Sequence, residues 1–267
     1  MNIPALDQAM LREQLSDVVS ELTVVERTGS TNADLVAAAR VGAADRTVLV
    51  AERQDAGRGR LARSWTSPPR AGLTFSVLWR PSSVPTSQWG WLPLLVGLSL
   101  VDTVRELTEV DAALKWPNDL MVGPRRAKCA GLLAEVAEPG AVVFGVGLNV
   151  WTRPDELPEG VDATSLSAEG ARVARDTLLV ALLRRMVADE SAWREAAGDP
   201  DATGLRERYR AACATVGSPV RLEQPGGTAL LATAVDIDRA GRLVLRDRNG
   251  DTRAVAAGDV VHLRAIT

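Results

Sequence analysis

The chain has 267 residues, 46% of them hydrophobic, and a formal net charge of −3. There is enough apolar material for one large domain, or for a main domain with a small companion. The negative balance excludes a general polyanion-binding surface, so any positive site has to be local.

The first residues, MNIPALDQAMLREQL, carry acids and lack an apolar run, which excludes a signal peptide. Residues 7–21 read as a short helix. TVVERTGSTN (23–32) reads as a strand and a turn, and ADLVAAAR as a helix ending at Gly42, with Ser30, Thr31 or Asn32 able to cap it. TVLVAERQ (47–54) is a strand, and an arginine-glycine loop follows it. GLTFSVLWRP (72–81) is a strand stopped by proline. WGWLPLLVGLSLV (89–101) is too short to span a bilayer and reads as a buried helix reaching about Leu107. DAALKWPNDLMV (111–122) is a strand broken by the turn residues Pro117, Asn118 and Asp119. RAKCAGLLAEVAE (126–138) and GAVVFGVGLNV (140–150) are two more strands joined by a Pro-Gly turn. Residues 172–196 have helical apolar spacing with arginines on the other face. After Cys213 the pattern becomes short alternating runs separated by PGG, RAG and RNGD. Asn249-Gly250 is a strong hairpin signal there, and about five strands result, plausible as a small barrel. The fold class is therefore α+β, with residues 1–212 as the main domain and 213–267 as the small β domain.

Several chemistries are excluded. The one histidine is His262, so a histidine base in the main domain is out. There is no Walker loop, and GVGLN (145–149) stops short of a dinucleotide fingerprint. Cys129 and Cys213 form no C-x-x-C pair and give neither a zinc site nor a disulfide framework. A reducing, cytoplasmic setting is the expectation.

Four stretches stand apart: GSTN (29–32), QDAGRGRLARSW (54–65), KWPNDL (115–120) with KCAGLLAE (128–135), and GVGLNV (145–150). Each lies at a strand end or in the turn after it, where functional residues tend to be presented. Singly each has an ordinary reading as a helix cap, a turn, a close-packed strand or a solvated loop. Together and in this order they resemble the biotin protein ligases, over roughly residues 22–265. The carriers are GRGR-x-x-R-x-W, KWPND, the K-x-AG segment and the terminal β module.

The resemblance implies a catalytic domain like the class II synthetases, a mixed sheet flanked by helices, and an SH3-like C-terminal barrel. It implies ATP-dependent conversion of biotin to biotinyl-5′-AMP, then transfer to a lysine of a biotin carboxyl carrier domain of an acyl-CoA, acetyl-CoA or pyruvate carboxylase. ATP, biotin and Mg2+ are the implied small molecules; DNA and membrane are not expected partners, and the state expected is a monomer or weak homodimer. Arg58 and Arg60 fall on the biotin carboxylate and α-phosphate, where the guanidinium fork suits paired oxygens. Lys128 takes the central catalytic place, bridging two anions that otherwise repel, with Arg60 and Asp119 beside it. Ser30, Thr31, Asn32, Gln54, Arg58, Gly59, Arg60, Lys128, Gly131 and Gly147 are implied for biotin, the two strand glycines leaving room for its ring and valeryl chain. Arg58, Arg60, Arg63, Trp65, Asn118, Asp119, Lys128 and Asn149 are implied for ATP. Lys115 supports the turn or touches the nucleotide. The glycine setting implies a loop that is loose without ligand and closes over it.

This chain departs from the pattern at Leu61 and Ala62, where basic or glycine residues are frequent, and at Cys129, where an aliphatic is usual. About 22 residues precede the matched region, too few for the DNA-binding domain of some members. A lipoate protein ligase of the same fold is the neighbouring alternative. From another class, a nucleic-acid binder would use the Arg58–Arg63 loop, although the negative charge and unclustered aromatics oppose it. A catalytically dead binding module fits poorly, because every expected charged position is occupied.

Overall fold

The computed structural model describes residues 3–137, 140–223, 229–257 and 262–265. Helix α1 (Gln8–Leu15) starts at Asp7, whose carboxylate accepts the Ala9 and Met10 N–H groups, and buries Leu11 and Leu15. Strand β1 (Glu21–Val25) leads to α2 (Thr31–Arg40), capped by Ser30. Strands β2 (Thr47–Ala51) and β3 (Gly72–Trp79) flank the arginine loop. Next come α3 (Leu92–Leu107), β4 (Ala112–Lys115), β5 (Asp119–Val122), β6 (Ala127–Ala137) and β7 (Ala141–Asn149). Pro139, in the turn anticipated between the last two, lies outside the described residues. Helix α4 (Arg175–Glu195) is followed by α5 (Leu205–Ala212), which the sequence reading did not anticipate.

The main sheet has the order β1-β2-β3-β7-β6-β5-β4, with β1 parallel to β2 and the other pairings antiparallel. Its strands alternate faces. Leu73, Phe75 and Val77 of β3 and Phe144, Val146 and Leu148 of β7 enter the large core built with α3 and α4. Leu78, Val143 and Ala137 point the other way, into the small core under α2. Helix α2 covers only part of that face. Further along it, Thr74 pairs with Gly147, Gly147 with Gly131, and Gly131 with Asp119, giving one row across four strands. That row is the floor of a cleft.

Strands β8 (Pro219–Glu223), β9 (Ala229–Ile237), β10 (Leu243–Arg246), β11 (Thr252–Val255) and β12 (His262–Ala265) make an antiparallel sheet of order β11-β10-β9-β8-β12. Among the described residues no pairing joins the edge strands β11 and β12, so the module stands as a sheet without recorded barrel closure. The PGG turn lies outside the described residues. Asn249-Gly250 does form the β10–β11 turn, with Gly250 at φ 91°. The module shares the large core: Val220, Leu222, Ile237, Leu243 and Leu245 are buried in the same cluster as α3. Trp91 Nε1 donates to the Arg239 carbonyl at 2.8 Å, and Arg206 holds Ile237 O at 2.7 Å and Asp236 at 2.9 Å.

Candidate active site

The cleft has a volume of about 840 Å3, and every site residue singled out from the sequence lines it. Lys128 sits at its centre because of a local irregularity. Residues 131 and 128 lie on opposite faces of a regular strand. Here the β5–β6 register shifts between Leu120 and Met121, so that Leu120 pairs with Ala130 and Met121 with Lys128. The extra residue is Cys129. Such a bulge re-aims a side chain, and it brings Lys128 onto the face of Gly131. Cys129 turns inward, fully buried, and its Sγ donates to Asn149 O at 3.3 Å. Burial, with Glu169 nearby, pushes its thiol well above the ordinary range, which makes it inert packing.

Lys128 Nζ lies 2.6 Å from Asp119 Oδ1, both side chains about three-quarters covered, and 5.9 Å from the centre of the Trp65 ring. The ammonium is thus held between a carboxylate and an aromatic face. The Trp65 indole occupies the room left by the strand glycines. A Cβ on Gly147 would lie 2.3 Å from its Cε2, and one on Gly131 3.3 Å from its Cζ3. The sequence reading assigns that space to the ligand; in this structure the indole fills it. Lys115 ends β4 and also lines the cleft.

Main-chain hydrogen bonds draw the arginine loop into a tight turn. Gly59 N–H donates to Arg63 O at 2.7 Å, Arg63 N–H to Arg60 O at 3.2 Å, and Trp65 N–H to Gly57 O at 2.9 Å. Leu61 and Ala62, the two departures from the family pattern, have φ of 55° and 58°. Side chains in that left-handed region cost of order 1 kcal/mol each, which is why glycine suits such positions. Arg58 and Arg63 are exposed along the cleft. Arg60 reaches across to the small β module, and its guanidinium donates to the Ala257 carbonyl. Burial pulls the Arg60 guanidinium below its ordinary value, Asp119 opposes this, and Arg63 adds to it.

At the opposite end of the cleft, Ser30 Oγ accepts the Ala33 N–H at 3.4 Å, so the capping reading of Ser30 holds. Gln54 Oε1 accepts the Thr31 N–H at 2.8 Å. The Asn32 amide lines the cleft but is buried, with its nitrogen bonded to Glu135 and its oxygen to Ser76. Asn118 Nδ2 donates to Leu132 O at 2.9 Å, and Leu132 N–H returns to Asn118 O at 2.9 Å, pinning the KWPND turn to β6. Asn149 Nδ2 holds Thr164 O at 3.0 Å.

That last bond points to what the sequence reading missed. The segment after β7 folds back so that Lys128 N–H donates to Asp162 O and Thr164 N–H to Lys128 O, both at 2.9 Å. Pro158, Val161, Asp162 and Ala163 thereby form one wall of the cleft. The available signal was a Pro-, Gly- and Asp-rich loop leaving a strand whose end was already under suspicion.

Among the described residues no group of three or more His, Cys, Asp or Glu could hold a metal ion. The described residues therefore form no all-protein magnesium cage, and Asp119 is the carboxylate beside the cationic centre. Among the described residues no helix is long and apolar enough to cross a membrane.

The fold and cleft define a two-module protein whose cationic centre lies on a glycine floor. Comparison with known proteins agrees with that description. Residues 24–150 match the biotin/lipoate A/B protein ligase family and residues 215–263 the biotin protein ligase C-terminal domain. The chain is 48% identical to a Mycobacterium tuberculosis biotin–[acetyl-CoA-carboxylase] ligase, over 98% of this chain and 97% of that protein. It is 28% identical to the Escherichia coli bifunctional ligase/repressor BirA, covering 91% of this chain and 73% of that one. Among solved structures, the Aquifex aeolicus biotin protein ligase in complex with biotin and ATP superposes with a TM-score of 0.77 at 28% identity, covering 92% of this chain and 100% of that one. The chain belongs to the biotin protein ligase family.

Proposed function

We propose that this chain is an ATP-dependent, AMP-forming ligase that joins biotin to a lysine of a carboxylase carrier domain. In the first step a biotin carboxylate oxygen attacks the α-phosphorus of ATP, and the bond to pyrophosphate breaks. In the second, the carrier lysine amine attacks the acyl carbon of biotinyl-5′-AMP, AMP leaves, and the amine loses a proton. The observation that carries this reading is the position of Lys128 Nζ, held by Asp119 and the Trp65 face over the Gly131–Gly147 floor.

Two anions meet in step one, and Lys128 with Arg58 and Arg60 supplies the cations between them. Asp119 masks the lysine charge until a phosphate competes for it. Ser30, Thr31 and Gln54 take the ureido head, with Trp65 walling the apolar slot. Arg63, Asn118 and Asn149 lie at the nucleotide end. Magnesium enters this reading with the nucleotide phosphates. The wall at 158–163 and the arginine loop screen the mixed anhydride from water. The carrier belongs to an acetyl-CoA-type or pyruvate carboxylase, and the reaction runs in the cytoplasm, where carrier and ATP are found together.

Incubation with biotin, ATP and a carrier domain, followed by mass spectrometry, tests the reading. It requires carrier mass to rise by one biotinyl group, with no such gain from lipoate. Lipoyl transfer without biotinyl transfer would overturn it.

A further inference from the structure

The polar end of the cleft has a hydrogen-bond direction imposed from outside it. Asn32 Nδ2 donates to Glu135 Oε2 at 2.8 Å, and Asn32 Oδ1 accepts from Ser76 Oγ at 2.6 Å. A carboxylate of this kind only accepts. The Asn32 amide can therefore not be turned round: its nitrogen faces Glu135 and, at 3.4 Å, the Leu133 carbonyl, and its oxygen faces Ser76. The oxygen also lies against β7, where a Cβ on Gly145 would come within 2.3 Å of it.

The consequence passes along the chain of hydroxyls. Ser76 is fully buried, and its single proton is committed to Asn32. In its 2.7 Å contact with Thr31 Oγ1, Ser76 is then the acceptor. The Thr31 hydroxyl proton is spent on Ser76 or on Gln54 Oε1 at 3.1 Å. Thr31 Oγ1 thus faces a ligand as an acceptor. Gln54 Oε1 is occupied by the Thr31 N–H, which leaves Nε2 as the amide end that donates. The Ser30 hydroxyl, whose oxygen accepts the Ala33 N–H, retains its proton to donate. The cleft end offers an acceptor at Thr31 and donors at Gln54 and Ser30. A cyclic urea, with N–H groups and a carbonyl, matches that order.

We propose that Glu135, acting through Asn32 and Ser76, is a positioning residue that sets the hydrogen-bond polarity of the biotin headgroup site. This rests on the ligase reading above and deepens it. Glu135 and Ser76 touch no substrate; they decide which way the Thr31 hydroxyl presents itself, while the Thr31 N–H fixes the Gln54 amide separately. Removing the charged acceptor leaves Asn32 Nδ2 with only the 3.4 Å bond to Leu133 O, which weakens the hold on the amide and on the hydroxyl order that it sets.

The test is steady-state pyrophosphate release by Glu135→Ala, Glu135→Gln and wild type, with biotin and ATP varied separately and Tm measured on each. Loss of one charge-assisted bond predicts that Glu135→Ala raises the KM for biotin about tenfold, with kcat and the KM for ATP within about twofold. Glu135→Gln, whose amide oxygen still accepts, restores the biotin KM to within about threefold of wild type. Discrimination against a biotin analogue carrying a cyclic guanidine in place of the urea falls in Glu135→Ala. An unchanged biotin KM, or biotin and ATP KM values rising together with a lower Tm, overturns the proposal and leaves the ligase reading standing. No pyrophosphate from wild type with biotin and ATP overturns the ligase reading itself, and this proposal with it.

Discussion

Gly147→Ala is the sharpest perturbation of the site. The added Cβ would stand 2.3 Å from Trp65 Cε2, 2.4 Å from Nε1 and 2.8 Å from Cζ2. Ordinary carbon contacts are about 3.5–4.0 Å, so the indole has to retreat by roughly 1 Å or more. Gly147 lies in regular strand between Thr74 and Gly131, so its backbone accepts alanine. Trp65 belongs to a half-exposed loop and can yield, so folding suffers little. A cost near 1 kcal/mol corresponds to a Tm decrease of about 2–4 °C in a chain of this size. The displaced indole, however, uncovers Lys128, and a misplacement of about 1 Å near reacting groups can cost on the order of 100-fold in rate. Gly131→Ala is the graded companion, because its Cβ meets Trp65 Cζ3 at 3.3 Å and Lys128 Nζ at 3.4 Å, within reach of small adjustments. Pyrophosphate release with saturating biotin and ATP, beside a thermal melt, reads both quantities. The expected order of rates is wild type, then Gly131→Ala, then Gly147→Ala far below. A Gly147→Ala enzyme with the wild-type rate refutes the reasoning, because the seat of Trp65 on the glycine floor would then play no part in the working site.

Lys128→Ala should lower adenylate formation by about 100-fold or more, while Lys115→Ala, outside the Asp119 ion pair, should retain most of it; equal pyrophosphate rates for Lys128→Ala and wild type would end the assignment. Ending the chain at Ala212 should lower the Tm and impair adenylate formation and carrier transfer together, because α3 loses partners in the shared core and Trp91 loses the Arg239 carbonyl; intact stability with only transfer impaired would instead favour a docking role. Arg60→Ala should speed tryptic cleavage after Arg58 and Arg63, since the tie to Ala257 is gone; an unchanged cleavage rate would show that the main-chain turn alone holds the loop.

The cleft residues were legible as a set because they resemble a family pattern of cations and strand glycines; that the Trp65 indole lies on those glycines was not, since the sequence reading kept that room for the ligand. Most strand and helix positions followed from apolar periodicity within a few residues, but the first helix, read to 21, ends at Leu15, and Glu21 already opens β1. What the sequence concealed depends on partners. Cys129 looks like any other strand residue; its bulge exists only against β5, and without that register Lys128 would point away from the cleft. Glu135 reads as an exposed strand acid until α2 brings Asn32 to it across 103 positions. Helix α5 was legible in principle, since Leu205, Tyr209 and Ala212 are spaced four and three apart. Its eight residues carry too little apolar signal to stand out, and packing against the α3 side of the core supplies the rest.

The contact between Arg60 and residue 257 has an asymmetric exposure to change. On one side it depends on a single side chain, and few replacements could span the gap. On the other it depends on a main-chain oxygen, which every amino acid possesses. Replacing Ala257 therefore leaves the acceptor in place, and only a shift of the chain itself removes it. A scan of side chains across the small module would pass over this junction without a signal. Grafting that module from a relative would preserve the junction whatever residue arrived at 257, provided the backbone path were kept.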